Sequence, residues 1–193
     1  GPYQAEKMKI KIIIPYFGAF PPYFALFLRS CAINSEVEFH IFTDQSALPL
    51  CPQNVVVHEL PFSALRALMQ KKLGLRDKAL RALTPYKLCD CKPAYGVIFE
   101  DHLQDADFWG FCDVDLIFGR IFDLLSMEEV QKSERVLTQG HLTLYRNSPR
   151  MNRLFEQPLA GGIAFRRAIE IAEPCFFDEI FMPAICRAQG VIQ

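Results

Sequence analysis

The segment FWGFCDVDLIFG, residues 108–119, carries the strongest structural signal in this sequence. Its apolar first half predicts a buried strand over residues 107–112, and Asp113 and Asp115 follow where that strand ends. Burying a carboxylate without a partner costs free energy, so these two require compensation. A hard divalent cation such as Mg²⁺ or Mn²⁺ provides it, because it takes oxygen ligands and keeps open positions for substrate phosphates. Asp-x-Asp also arises by chance, and only the flanking apolar residues favour a metal site here.

Strand and helix patterns alternate on both sides of this segment. Further strands are predicted over residues 9–14, 37–43, 55–60, 135–138 and 142–145. Helices are predicted over residues 22–34, 65–73, 121–125 and 127–132, over residues 85–99 in two pieces divided at Pro93, and from Pro149 to residue 155.

This alternation predicts an α/β fold, a mainly parallel sheet with helices on both faces. Ligands of such sheets bind at the carboxyl ends of the strands. Residues 15–18, Asp44 and residues 113–115 therefore mark the expected binding edge.

Length and composition favour a single domain with a sizeable core. The chain has 193 residues, of which 51% are hydrophobic, and its formal net charge is −1. That balance lacks the basic excess of a protein that binds a nucleic-acid backbone, so no nucleic-acid partner is expected. The uncharged apolar runs are shorter than the roughly 20 residues that cross a bilayer, so no transmembrane segment is expected either.

The chain start predicts a cytoplasmic protein. Residues 1–7 are interpreted as a tag remnant before the native Met8, and residues 8–193 as one domain. No signal-peptide pattern is present, so we expect a cytoplasmic location that includes peripheral attachment to the inner face of the membrane. The seven cysteines lie mostly in apolar stretches, which predicts reduced thiols.

Several segments, taken together and in order, resemble one protein family. They are IIIPYFG (residues 12–18), FHIFTD (39–44), PYKLCDCKPAYG (85–96), the Asp113/Asp115 segment and GHLTLYRN (140–147). The chain resembles a family of uncharacterised bacterial proteins (DUF6625 type) associated with polysaccharide synthesis, which itself looks like GT-A-fold, nucleotide-sugar-dependent glycosyltransferases. The resemblance implies a GT-A-like (Rossmann-like) domain that transfers a sugar from a nucleotide diphosphate, UDP foremost, to a glycan, lipid-linked or other hydroxyl acceptor.

The resemblance also implies roles for individual residues. Asp115 and Asp113 would hold Mn²⁺ or Mg²⁺ on the donor diphosphate, with Asp113 sharing the metal or binding the donor ribose or sugar. The cation would neutralise charge on the departing nucleoside diphosphate. The nucleoside pocket and the donor sugar would be contacted by Pro15, Tyr16, Phe17, Gly18, Asp44, Lys87, Asp90, Lys92 and His141.

The lysines and acids of residues 87–92 also fit a solvated helix face, and His141 fits a structural, hydrogen-bonded role. An inverting transferase needs a carboxylate as general base, for which Asp178 is the first candidate and Glu179 the second. An N-cap role explains Asp178 equally well. Because the chain ends soon after this pair, we also expect that part of the acceptor site is truncated.

Other functions compete with this one. A catalytically inactive nucleotide-sugar or glycan-binding module has the same fold. A haloacid-dehalogenase-type phosphatase uses Asp-x-Asp, but usually after its first strand. A zinc site built on Cys89, Cys91 and Cys112 has no Cys-x-x-Cys pair to support it, and no histidine has the spacing of a ligand.

Overall fold

Six strands form one sheet in the computed structural model, which describes residues 7–193. The tag remnant expected at residues 1–7 thus lies, apart from Lys7, outside the described residues. The strands are β1 (Ile10–Pro15), β2 (Val37–Thr43), β3 (Val55–Glu59), β4 (Phe108–Cys112), β5 (Arg135–Val136) and β6 (Leu142–Arg146).

Helices occupy most of the remaining chain. The α-helices are α1 (Phe24–Ala32), α2 (Phe62–Leu73), α3 (Tyr95–Ile98), α4 (Glu100–Leu103), α5 (Ile121–Leu124), α6 (Met127–Lys132), α7 (Pro149–Asn152), α8 (Phe165–Glu170), α9 (Phe177–Ile180) and α10 (Met182–Ala188). Three 3₁₀-helices span Asp77–Leu80, Tyr86–Ala94 and Leu154–Glu156.

The sheet is mixed, with the strand order β3-β2-β1-β4-β6-β5. The β1–β2, β2–β3 and β1–β4 pairs are parallel, whereas β6 runs antiparallel to both β4 and β5. The α/β class and the flanking helices are confirmed. The prediction of a mainly parallel sheet holds for β1 to β4 and is corrected at β6, because a strand's residue pattern does not encode its direction.

Both faces of the sheet are apolar, as expected for central strands covered by helices on each side. Ile10, Ile12 and Ile14 of β1 point to one face, where they join Phe24 and Phe27 of α1 in a buried cluster. The intervening Ile13 points to the opposite face, which packs against α2, α3 and the C-terminal helices. Alternation along one strand therefore divides the core into two layers.

The segment 85–99 differs from its prediction. We predicted a helix in two pieces divided at Pro93, but residues Tyr86–Ala94 form a 3₁₀-helix and the α-helical geometry begins only at Tyr95. Gly96 then lies against Trp109 of β4, where a Cβ atom would come within 2.6 Å of the indole Nε1. The glycine therefore permits close packing of α3 on the sheet.

None of the helices among residues 7–193 combines the length and the apolar character needed to cross a membrane.

Candidate functional site

A pocket of about 560 Å³ opens at the carboxyl ends of β1 and β4. The chain proceeds from β1 to β2 and β3 on one side of β1, and then returns to place β4 on the other side. Ligands of open α/β sheets bind at such a reversal of strand order, and the volume lies in the usual range for small-molecule sites. The pocket therefore occupies the place where the fold favours a ligand.

Two charged side chains of the pocket lining, Lys92 and Asp113, meet a histidine just outside it. Lys92 Nζ donates to Asp113 Oδ1 at 2.9 Å, and His141 Nδ1 lies 3.1 Å from Asp113 Oδ2. The Asp113 backbone N–H also donates to the His141 carbonyl at 3.0 Å. Because β6 is antiparallel to β4, residue 141 at its beginning lies beside residue 113 at the end of β4.

Asp115 lines the same pocket and is exposed. Within the described residues it forms no salt bridge, unlike Asp113. The ligand atoms of Asp113, Asp115 and His141 do not converge within 4.8 Å of one another, so residues 7–193 hold no preformed three-ligand site at this position. Two carboxylates on one wall leave coordination positions that substrate oxygens can complete.

The loop after β1 also contributes to the pocket lining. Pro15, Tyr16 and Phe17, which the resemblance assigns to a nucleoside site, line the pocket together with Tyr23 and Tyr86. These aromatic rings give the mouth of the pocket flat apolar surfaces suited to a planar ring.

Gly18 and Asp44 lie outside the lining residues but support the loop after β1. Gly18 adopts a φ of +89°, a conformation that favours glycine, and its N–H donates to Asp44 Oδ1 at 2.9 Å. Hydrogen bonds from the Gln45 side chain and from this N–H lower the pKa of Asp44. Asp44 therefore remains ionised and fixes the loop that carries Tyr16 and Phe17.

Lys87 and Asp90 point inward, away from the pocket. Their side chains form a buried ion pair at 2.6 Å, and Lys87 Nζ also donates to the Glu173 carbonyl. Asp90 accepts the backbone N–H groups of Cys175 and Phe177 at 2.8 and 2.9 Å. The pair joins the 3₁₀-helix to the chain before α9. Of the predicted contact residues Lys87, Asp90 and Lys92, only Lys92 lines the pocket.

Asp178 and Glu179 also lie outside the pocket lining, in contrasting environments. Asp178 is buried, 3.7 Å from Arg135 Nη2 and 3.5 Å from the Tyr145 hydroxyl, and its Oδ2 has no hydrogen-bond partner within the described residues. Burial raises the pKa of Asp178 to about 6. Its alternative role as N-cap is wrong, because Phe176 occupies that position and Asp178 lies inside α9.

Glu179, in contrast, is exposed. It packs against Gly140, which in turn contacts the pocket residue Lys92. A Cβ atom on Gly140 would lie 2.6 Å from Glu179 Oε1, and the Gly140 carbonyl is 3.4 Å from Lys92 Nζ. Glu179 therefore lies next to Gly140, the residue before His141.

A family model described as "Family of unknown function (DUF6625)" matches residues 12–192. The chain belongs to the DUF6625 family. The match includes every residue of the pocket wall described above, and the family's description assigns it no activity. A search of curated proteins found no significant match.

One cluster in this DUF6625 member escaped the sequence analysis. The ligand atoms of His40, His58 and His102 all lie within 4.8 Å of one another. Spacing along the sequence gives no sign of this cluster, because the three residues come from β2, β3 and α4 and meet only in the fold. The one sequence feature that pointed to the cluster is the alternation along β2, which places His40 and Phe42 on the same face of the sheet.

The predicted thiol state of the DUF6625 chain agrees with the structure, in which all seven cysteines are free. Burial raises the pKa of Cys89, Cys91 and Cys112, which disfavours the thiolate form that zinc requires.

Proposed function

We propose that this protein is a metal-dependent glycosyltransferase with a GT-A-like fold, which moves a sugar from a nucleotide diphosphate, UDP foremost, to a hydroxyl acceptor in bacterial polysaccharide synthesis. The observation that carries the proposal is the placement of Asp113, Asp115 and Lys92 in one pocket at the reversal of strand order. The resemblance described in the sequence analysis supplies the donor class, and the pocket supplies a place for it.

The charge of the pocket supports a requirement for a divalent cation. Asp113 and Asp115 contribute two negative charges to the lining, and Lys92 contributes one positive charge. A diphosphate entering this pocket meets net repulsion unless a cation stands between the phosphates and the carboxylates. Mg²⁺ and Mn²⁺ fit this donor set of carboxylate oxygens with remaining positions for phosphate oxygens. When bound, the ion would stabilise negative charge on the leaving diphosphate.

Lys92 has two partners available at the same position. Its ammonium group holds Asp113 Oδ1 and lies 5.3 Å from the centre of the Phe111 ring. Because an ammonium group is a phosphate binder as well as a carboxylate partner, a bound diphosphate can attract Lys92 away from Asp113. Lys92 would thereby release a carboxylate oxygen for the cation.

The candidate bases are ranked by their access to the pocket. Asp178 has the raised pKa that favours proton transfer near neutral pH, but it lies behind Tyr145 and is only 2% exposed. Glu179 is exposed beside Gly140 and His141. A general base must reach the proton that it removes, so the geometry favours Glu179 for the acceptor hydroxyl.

The direct test is binding and turnover of the donor. Calorimetry with UDP is expected to show binding in the presence of Mn²⁺ and none in EDTA, and an Asp115→Asn variant is expected to lose it. Asp77→Asn is the matched control, because Asp77 is highly exposed on a distant 3₁₀-helix. Failure of the wild-type protein to bind UDP, GDP or ADP with Mn²⁺ would overturn the proposal.

A second candidate, an inactive nucleotide-sugar or glycan-binding module, is favoured by the Lys92–Asp113 pair, which occupies one of the two expected metal ligands. Release of UDP from a panel of UDP-sugars separates the two functions. Metal-dependent binding without release supports the binding module. Release of phosphate from simple phosphoesters supports the phosphatase instead.

A further inference from the structure

Three of the four histidines of this chain meet on one face of the sheet, apart from the pocket. His40 lies on the central part of β2, His58 on the edge strand β3, and His102 on the short helix α4. His40 Nδ1 is 2.8 Å from His58 Nε2, and the ring centres of His58 and His102 are 4.7 Å apart. We refer to His40, His58 and His102 as the histidine cluster.

The remaining contacts of His40 fix which of its nitrogens is available. Its Nε2 lies 2.5 Å from Glu38 Oε1, so the carboxylate accepts the proton carried by this nitrogen. The Nδ1 lone pair is thereby directed at His58. A histidine that binds a metal through one nitrogen commonly donates from the other to a carboxylate, which fixes the tautomer and strengthens the ligand. Glu38 and His40 have this arrangement.

The surroundings keep the cluster compact. Phe42, which is buried, stacks on His58 with ring centres 4.4 Å apart and meets His102 edge-on at 5.0 Å. His40 is buried, whereas His58 and His102 are half-buried and leave access from solvent. Desolvation is the largest cause lowering the pKa of all three histidines, so their neutral forms, which offer lone pairs, predominate at neutral pH.

Among the described residues, Lys11 is the positively charged side chain next to the histidine cluster, and it is already paired with acidic residues. Lys11 Nζ donates to the His102 carbonyl at 2.9 Å and to Asp105 Oδ1 at 2.7 Å, and it lies 3.7 Å from Glu38 Oε1. Asp105 and Glu38 together offset the charges of Lys11 and the neighbouring Lys9. The charges around the cluster therefore leave no net barrier to a cation.

We propose that His40, His58 and His102 form a transition-metal site of the Zn²⁺ class that fastens the edge strand β3 and helix α4 to β2. Zn–N bonds of about 2.0–2.1 Å place the nitrogens of a tetrahedral site about 3.3 Å apart. His40 Nδ1 and His58 Nε2 are 2.8 Å apart and the other spacings are at most 4.8 Å, so ring shifts of up to about 1.5 Å reach that value. Three imidazoles leave a fourth position for water, and imidazole suits Zn²⁺ among the first-row metals.

The experiment is a Zn²⁺ titration of the full chain after EDTA treatment, with a chromophoric chelator as competitor. The wild-type protein is expected to bind one equivalent, and Co²⁺ is expected to give the intense visible absorption of a tetrahedral site. His102→Gln, on the short half-buried α4, is the variant least expected to disturb folding, and His58→Gln is the second. Both are expected to lose the equivalent, with folding checked by circular dichroism.

His141→Gln is the matched control, because it removes the fourth histidine, which lies beside Asp113 and outside the histidine cluster. This variant is expected to keep the Zn²⁺ equivalent, whereas Glu38→Gln is expected to weaken binding about 10- to 100-fold. Absence of Zn²⁺ binding to the folded wild-type chain overturns the proposal. Loss of the equivalent in His141→Gln, or its retention in His58→Gln and His102→Gln, assigns the metal to the pocket and overturns it as well.

Discussion

Two lysine–aspartate pairs start from the same 3₁₀-helix and end in opposite environments. Lys87 and Asp90 are essentially fully buried, and both have further backbone partners. Lys92 and Asp113 are 15% and 33% exposed, and Asp113 shares its carboxylate with His141. The first pair already has several hydrogen-bond partners and no access to solvent. The second is partly exposed and can exchange partners with a ligand. Access and remaining hydrogen-bonding capacity, rather than residue type, separate a structural pair from a functional one.

The largest expected effect comes from breaking the buried pair. Asp90→Ala leaves the Lys87 ammonium group and the N–H groups of Cys175 and Phe177 without their acceptor. We expect the free energy of unfolding to fall by about 3–5 kcal/mol, as for other buried pairs that lose one partner. Urea denaturation measures it. Asp113→Ala is the matched control, with an expected loss below about 1 kcal/mol. Equal losses in the two variants would contradict the distinction.

The next effect concerns Asp178, which is buried like Asp90 but incompletely partnered. Its pKa is about 6 in the folded protein and about 3.8 in the unfolded chain, so the folded state binds the proton more tightly. The stability that Asp178 contributes is fully present below pH 3.8 and is lost as the pH rises through 6. At about 1.4 kcal/mol per pKa unit, the loss approaches about 3 kcal/mol at pH 7.

Denaturation between pH 4 and pH 7 tests this dependence. Asp178→Asn is expected to remove that part of the fall in stability, whereas Glu179→Gln, which alters an exposed neighbour, is expected to keep the wild-type profile. A wild-type profile in Asp178→Asn would show that Asp178 does not carry the proton.

The smallest expected change in stability concerns the partly exposed pair Lys92–Asp113, whose proposed role is functional. Lys92→Met removes the ammonium group from Asp113 but keeps an apolar side chain over Phe111. We expect a change below about 1 kcal/mol in the free energy of unfolding, because the pair is partly exposed. Mn²⁺ alone is expected to bind severalfold more tightly in calorimetry, since the carboxylate is released. Lys132→Met, at a highly exposed pair on α6, is the control. Unchanged or weaker Mn²⁺ binding contradicts a role for Lys92 as competitor.

Local patterns predicted the elements well where side chains alone decide them. The bounds of β2 agree with the structure, because apolar residues at alternate positions end at Thr43. Those of α6 also agree, and there Ser126 and Glu129 form a capping box. The helix predicted over residues 65–73 ends where α2 ends, and Gly74 follows it in the left-handed conformation.

The site was predicted less completely, since it depends on geometry that sequence spacing does not contain. In a 3₁₀-helix, residues i and i+3 lie above one another, so Lys87 and Asp90 turn inward together while Lys92 turns to the pocket. An α-helix would also place Lys87 and Asp90 on one face and Lys92 on another, but the sequence does not show which face meets the pocket. The histidine cluster was missed for a related reason, because strand pairing and the docking of α4 create its neighbourhood.

The reversed direction of β6 determines which part of the chain can shape the pocket. Residues 113–141 run from the end of β4 to the start of β6 and contain β5, so this segment begins at the pocket wall and returns beside Asp113. Its two ends are tied by the Asp113 N–H and the His141 carbonyl. Changes in length between those ends and outside β5 can therefore alter the surroundings of the pocket while the register of β4 against β6 stays fixed.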